Sequence, residues 1–167
     1  YRNNEPTRKD QGTYSTLLFR REAERFLLAN KGRPFFLYVP FNGVHAPLQV
    51  PEKYTEPYAA LKGNRRTLAG MLSAVDEAIG QIVAALDIAG LRNHTLIIFS
   101  SDNGGPNPTA LSTNGELRAG KGTIYEGGVR VCAFANWPGH IRAGVTIREP
   151  MHAVDWFPTL VKLAGGD

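Results

Sequence analysis

The chain has 167 residues, 43% of them apolar and 10% aromatic, which suits one globular domain with a real core and excludes a disordered segment. Its net charge of +4 comes from scattered Lys and Arg without aromatic interleaving, which argues against a nucleic-acid partner and leaves a mild bias toward small anions. No run matches the roughly 20 apolar residues of a membrane span, so no membrane segment is expected, and the polar start at Tyr1 reads as the interior of a longer protein.

In chain order, residues 16–29 place Leu17, Leu18, Ala23, Phe26 and Leu27 on one side and Arg20, Arg21, Glu24 and Arg25 on the other, which predicts a helix ended by Lys31-Gly32. The aromatic and β-branched run at 34–39 predicts a buried strand. Pro47, Pro51 and Pro57 then impose a long loop. Leu68, Met71, Leu72, Val75, Ile79, Ile82, Val83 and Leu86 recur at three and four, predicting a helix over 67–89 closed by Gly90. The apolar run at 95–100 reads as a strand covered on both faces, followed by a Gly-rich loop over 101–128. A third strand is expected around Cys132, with that thiol buried, and a last helix from Asp155 as N-cap. Strand, helix, strand in this order predicts an α/β fold with a mostly parallel sheet flanked by helices, whose ligands gather beyond the carboxyl ends of the strands.

Asp102 and Asn103 follow the 95–100 strand directly. Asp-Asn-Gly-Gly is a turn signal, and the same two residues are hard oxygen donors suited to Ca²⁺ or Mg²⁺; both readings stand at this point. Two donors do not fill a shell of about six to eight oxygens, so further ligands are expected from elsewhere. Lys121, between Gly120 and Gly122, is either a solvated loop lysine or a cation that meets sulfate or phosphate. His45, on the loop after the 34–39 run, is either a structural imidazole or a proton donor and anion ligand. Glu126 and Arg130 are expected to pair and hold the Lys121 loop; Asp76 and His152 are read as structural, and His94 and His140 as turn residues. Asn93-His94-Thr95 fits a glycosylation sequon.

The segments PFFLYVPFNGVHAPLQVPEKY, TLIIFSSDNGG and LRAGKGTIYEGGVRVCAFANWPG together resemble, in order and spacing, the middle and later part of type I sulfatases. The resemblance is strongest to the arylsulfatase branch that includes N-acetylgalactosamine-4-sulfatase. It implies an alkaline-phosphatase-like sandwich, one Ca²⁺, and hydrolysis of small-molecule or saccharide sulfate esters by a formylglycine hydrate, in an exported protein. Carried over by position, Asp102 and Asn103 match metal ligands, Asp102 also matches a group that helps deprotonate the nucleophile, Lys121 matches a sulfate-binding lysine, and His45 matches a sulfate contact that protonates the leaving alcohol. The family's Cys or Ser followed by x-Pro-x-Arg is absent from the sequence, as is its adjacent Asp pair. Residues 1–167 are therefore expected to be one sulfatase catalytic domain truncated at both ends and inactive alone. The rivals are a phosphodiesterase or phosphonate hydrolase of the same superfamily, and a non-catalytic anion-binding module.

Overall fold

The computed structural model describes residues 2–106 and 111–167. Its helical part is a packed pair, α1 (Ser15–Asn30) and α2 (Gly63–Ile88), which carry most of the buried side chains. On α1 the buried stripe is Thr16, Ala23, Leu27 and Asn30, the spacing of one helical face. Asn30 stops the helix: its amide donates to the Phe26 carbonyl at 2.7 Å, and Arg33 Nε donates to its Oδ1 at 2.8 Å.

On α2 the contact is made by smaller residues than the periodicity suggests. Gly70, Met71, Ala74, Val75, Ala78 and Leu86 are buried, with both alanines at zero exposure, while Leu72 faces outward. Short side chains at the crossing let the two backbones approach and leave Leu27 to fill the space between them. The helix closes as expected, with Gly90 at φ +69° and Leu91 N–H donating to the Leu86 carbonyl at 2.9 Å. By length and composition α2 is a helix that could cross a membrane, which corrects the expectation that no such stretch exists; here its small-residue face lies on α1.

The loop after α1 packs on this pair in pieces. Tyr54, in a short 3-10 turn, is buried, and Gly70 lets the Tyr54 carbonyl approach α2 to within contact. Arg66 Nε donates to the Thr55 carbonyl at 3.1 Å. Residues 34–39 are not the buried strand expected from their composition. They find no ladder partner among the described residues, and Phe36 and Tyr38 are three-quarters exposed, while Phe35 meets Phe26 of α1 edge to face at 6.0 Å.

The sheet also differs from expectation. Among the described residues it has two strands, β1 (Ile97–Ser100) and β2 (Ala133–Asn136), paired antiparallel with Ile98 opposite Ala135 and Phe99 opposite Phe134. The rings of Phe99 and Phe134 stack at 4.8 Å. A parallel pair is usually joined by a crossover helix, and between these strands the described residues hold only the one-turn α3 (Glu126–Val129). The chain instead doubles back. With no second layer over β2 among the described residues, Cys132 is exposed rather than buried. Trp137 Nε1 donates to the Asn93 carbonyl at 3.1 Å, tying the end of β2 to the turn that follows α2.

The last element, α4 (Trp156–Leu163), follows a 3-10 turn whose cap is reciprocal: Val154 N–H donates to His152 Nδ1, and His152 N–H donates to Asp155 Oδ2 at 2.7 Å. Asp155 stands at the N-cap position as expected, but its carboxylate turns back to His152 instead of forward into α4. His152 is thus a capping residue.

Candidate functional site

Asp102 and Asn103 lie two residues past β1, where the ladder ends with Ser101 N–H on the Cys132 carbonyl at 3.1 Å. Ser101 Oγ then donates to the Asn103 carbonyl at 3.0 Å and fixes the turn. Asn103 Nδ2 donates to the Gly104 carbonyl at 3.0 Å, and its Oδ1 accepts no hydrogen bond among the described residues. The Asp102 carboxylate is exposed and makes no hydrogen bond or ion pair among the described residues. Two oxygen donors of the hard type thus follow one another on this turn without a hydrogen-bond partner among the described residues, and such donors suit a Ca²⁺-class cation. No group of three or more His, Cys, Asp or Glu side chains is present among the described residues, so these two alone do not complete a shell.

Lys121 belongs to a turn that is stitched directly onto this loop. Its own N–H donates to the Gly105 carbonyl at 3.1 Å, and Gly104 N–H donates to the Gly128 carbonyl at 3.0 Å. Gly127 N–H donates to the Arg118 carbonyl at 2.8 Å, closing the turn across its base. Glycine is required here by contact: a Cβ on Gly104 would strike the Gly127 carbonyl, one on Gly127 the Ala119 and Arg118 carbonyls, and one on Gly128 the Thr123 and Gly120 carbonyls. The Lys121 ammonium is exposed and makes no ion pair among the described residues, so its charge is available to an anion.

Two residues that the sequence did not single out hold this turn. Asn114 Oδ1 accepts from Gly105 N–H at 2.9 Å, and its Nδ2 donates to the carbonyls of Gly105 at 3.1 Å and Ala119 at 2.9 Å. Arg118 lays its guanidinium over the Tyr125 ring at 3.7 Å. No spacing rule marks a loop asparagine that bonds backbone from three directions, although its place between a Gly-Gly and an Ala-Gly-Lys-Gly turn is a usable hint. Glu126 and Arg130 do pair, at 3.1 Å along α3, but both side chains are about two-thirds exposed, so the pair contributes only ~0.3–0.5 kcal/mol and does not hold the loop as expected. Backbone bonds and Asn114 do that.

His45 is carried by a different loop, the one that follows α1. Its Nδ1 donates to the Ala46 carbonyl at 2.8 Å, since a carbonyl only accepts, and this leaves Nε2 as the open ring nitrogen. It lines a cleft of about 450 Å³ with Tyr14, Asn42 and Met71, among others. Neither Asp102 nor Lys121 lines that cleft. The backbone bonds therefore join the loop of Asp102 and Asn103 to the turn of Lys121, and the His45 loop lies against the helical pair, where Gly43 packs close to Val75.

A family model described as Sulfatase matches residues 1–166. This chain belongs to the sulfatase family. Mouse arylsulfatase J is 43% identical over 159 residues, covering 94% of this chain and 26% of its own length. Human arylsulfatase A is 42% identical over 136 residues, covering 80% of this chain and 25% of its own. Among solved structures, Ps i-CgsB in complex with k-i-k-neocarrahexaose superposes on 99% of this chain with a TM-score of 0.92 at 38% identity, and the match takes in 37% of that chain. This sulfatase chain thus spans about a quarter of the length of the curated relatives it matches.

Proposed function

We propose that the complete protein is a sulfuric ester hydrolase, and that this chain supplies part of its catalytic domain: Asp102 and Asn103 toward a Ca²⁺, and Lys121 and His45 toward the sulfate. The observation that supports the reading is the backbone bond from Lys121 N–H to the Gly105 carbonyl, which joins the Lys121 turn to the loop that carries Asp102 and Asn103. A divalent cation at Asp102 and Asn103 would add positive charge to the same anion site, and a formylglycine hydrate would be the attacking group. Lys121 would offset the charge of the sulfuryl group during attack. Asp102 would help deprotonate the nucleophile. His45, as the imidazolium, would pass its Nε2 proton to the departing alkoxide, while the Ala46 carbonyl keeps the ring oriented through Nδ1.

In the complete domain, β1 would run within a mostly parallel central sheet of the alkaline-phosphatase type, and the protein would be exported. The names of the relatives favour a sulfate ester over a phosphodiester, and the neocarrahexaose named with one structural neighbour favours a saccharide sulfate. No membrane span and no nucleic acid enter this reading. The test is hydrolysis of p-nitrophenyl sulfate by the complete protein with Ca²⁺ present. Turnover that falls about 10²–10³-fold in Lys121→Ala supports the assignment; absence of turnover in the unmodified protein, with both p-nitrophenyl sulfate and sulfated saccharides, overturns it.

A further inference from the structure

The two halves of the candidate site meet at Gly104, which donates to the Gly128 carbonyl, and most closely at Gly105. It lies two positions after Asn103, and both its N–H and its carbonyl are engaged by the opposite segment. Asn114 takes the N–H at 2.9 Å and returns a donor to the carbonyl at 3.1 Å. With its second amide hydrogen it holds the Ala119 carbonyl at 2.9 Å, two positions before Lys121. Ala119 sits at φ +61°, a conformation that residues other than glycine rarely adopt without such support. A side chain that must accept from a backbone N–H and donate to two carbonyls has to be an amide: a carboxylate lacks the donors, and a hydroxyl has one hydrogen.

We infer that Asn114 is a positioning residue that makes the Asp102–Asn103 loop and the Lys121 turn one unit, so that a cation at the first and an anion at the second each tighten the binding of the other. This rests on the calcium and sulfate roles proposed above and adds the element that links them. The physical route is short. A cation that orders residues 102–103 orders Gly105, and Gly105 fixes both the Lys121 N–H and, through Asn114, the approach to the turn. Coupling of this kind is reciprocal, because the two binding equilibria share one free-energy surface.

The experiment uses the complete protein, with Ca²⁺ and inorganic sulfate as probes. Calorimetric Ca²⁺ titrations without and with saturating sulfate give the coupling factor, expected to be at least ~5-fold in the unmodified protein. In Asn114→Ala and Asn114→Asp it falls below ~2-fold, the latter because a carboxylate oxygen replaces the donor to two carbonyls. Leu27→Ala, which loosens the helical pair, lowers Tm and leaves the factor unchanged, so a loss of stability alone does not imitate the result. Attraction acting directly between the bound ions is untouched by these substitutions, and full retention of the factor in both Asn114 variants overturns the inference. Hydrogen exchange on the unmodified protein needs no variant to fold: Ca²⁺ alone should slow exchange at Lys121 as well as at Gly104 and Gly105, and protection confined to the two glycines overturns it too. Failure of Ca²⁺ to bind at all removes the proposed function and this inference together, whereas both ions binding without coupling removes the inference alone.

Discussion

Gly127→Ala probes the site through a single methyl group. The added Cβ would be driven into the carbonyl oxygens of Ala119 and Arg118. These are backbone atoms, so no rotamer change relieves the collision, and relief must come from moving the turn. Movement breaks the bond from Gly127 N–H to the Arg118 carbonyl and, one residue on, the bond from Gly104 N–H to the Gly128 carbonyl. Overpacking costs about 1–3 kcal/mol, and two hydrogen bonds about 1 kcal/mol each, for a local penalty of about 3–5 kcal/mol. If opening the turn is the way out, the sulfate-competent form becomes the minor one, and sulfate affinity in the complete protein drops by at least ~10²-fold. Calorimetry with inorganic sulfate measures this, with Gly32→Ala as the neutral comparison because a Cβ at Gly32 meets nothing. A Gly127→Ala protein that binds sulfate within ~3-fold of the parent, with Tm unchanged, would refute the reasoning.

Leu27→Ala removes the largest side chain between α1 and α2, 2% exposed, and should cost about 2–5 kcal/mol, read as a lowered urea midpoint. Acid should test the N-terminal arm. Arg2 Nη1 donates to Glu22 at 2.7 Å, and this bond, foremost, holds the Glu22 carboxyl down to about 2. Its folded value lies below the ordinary 4.5, so the stabilisation is complete above pH 4.5 and is lost as pH falls through about 2. Arg2→Ala should flatten the decline in Tm across that window, only modestly because solvent screens a part-exposed pair. Asp102→Ala should weaken Ca²⁺ binding by the complete protein at least ~10-fold, with fold retained by circular dichroism, because its carboxylate has no hydrogen-bond or ion-pair partner among the described residues to lose.

The helices were legible because their apolar spacing and stop signals are local: α1 and α2 lie within a few residues of where periodicity puts them. The centre of their contact was not, because Ala74 and Ala78 carry no signal of burial until a partner helix is placed over them. Strand character at 97–100 was readable, but partner and direction were not, since pairing with 133–136 is decided by how the intervening chain returns. The run at 34–39 shows the same limit: composition marks an extended, aromatic segment, and a ladder depends on neighbours that its own residues do not encode. At the site, side chains with evident chemistry (Asp102, Asn103, Lys121 and His45) could be singled out from residue type and order along the chain. Asn114 could not, because its role is to satisfy backbone groups. The Glu126 and Arg130 expectation failed for the complementary reason: opposite charges four apart announce a pair, not whether water is excluded from it.

The excursion from Ser101 to Cys132, closed by β1 and β2, also sets an order of assembly. Joining strand ends across that length costs about 3 kcal/mol of chain entropy before any ladder bond is gained, whereas each helix nucleates from neighbours a turn away. Each helix can therefore form locally before the strand ends meet, while bringing α1 onto α2 closes residues 31–62, a loop as long as 101–132 and as costly. A chain caught early would hold local helix before either long-range contact, α1 on α2 or β1 on β2, is made.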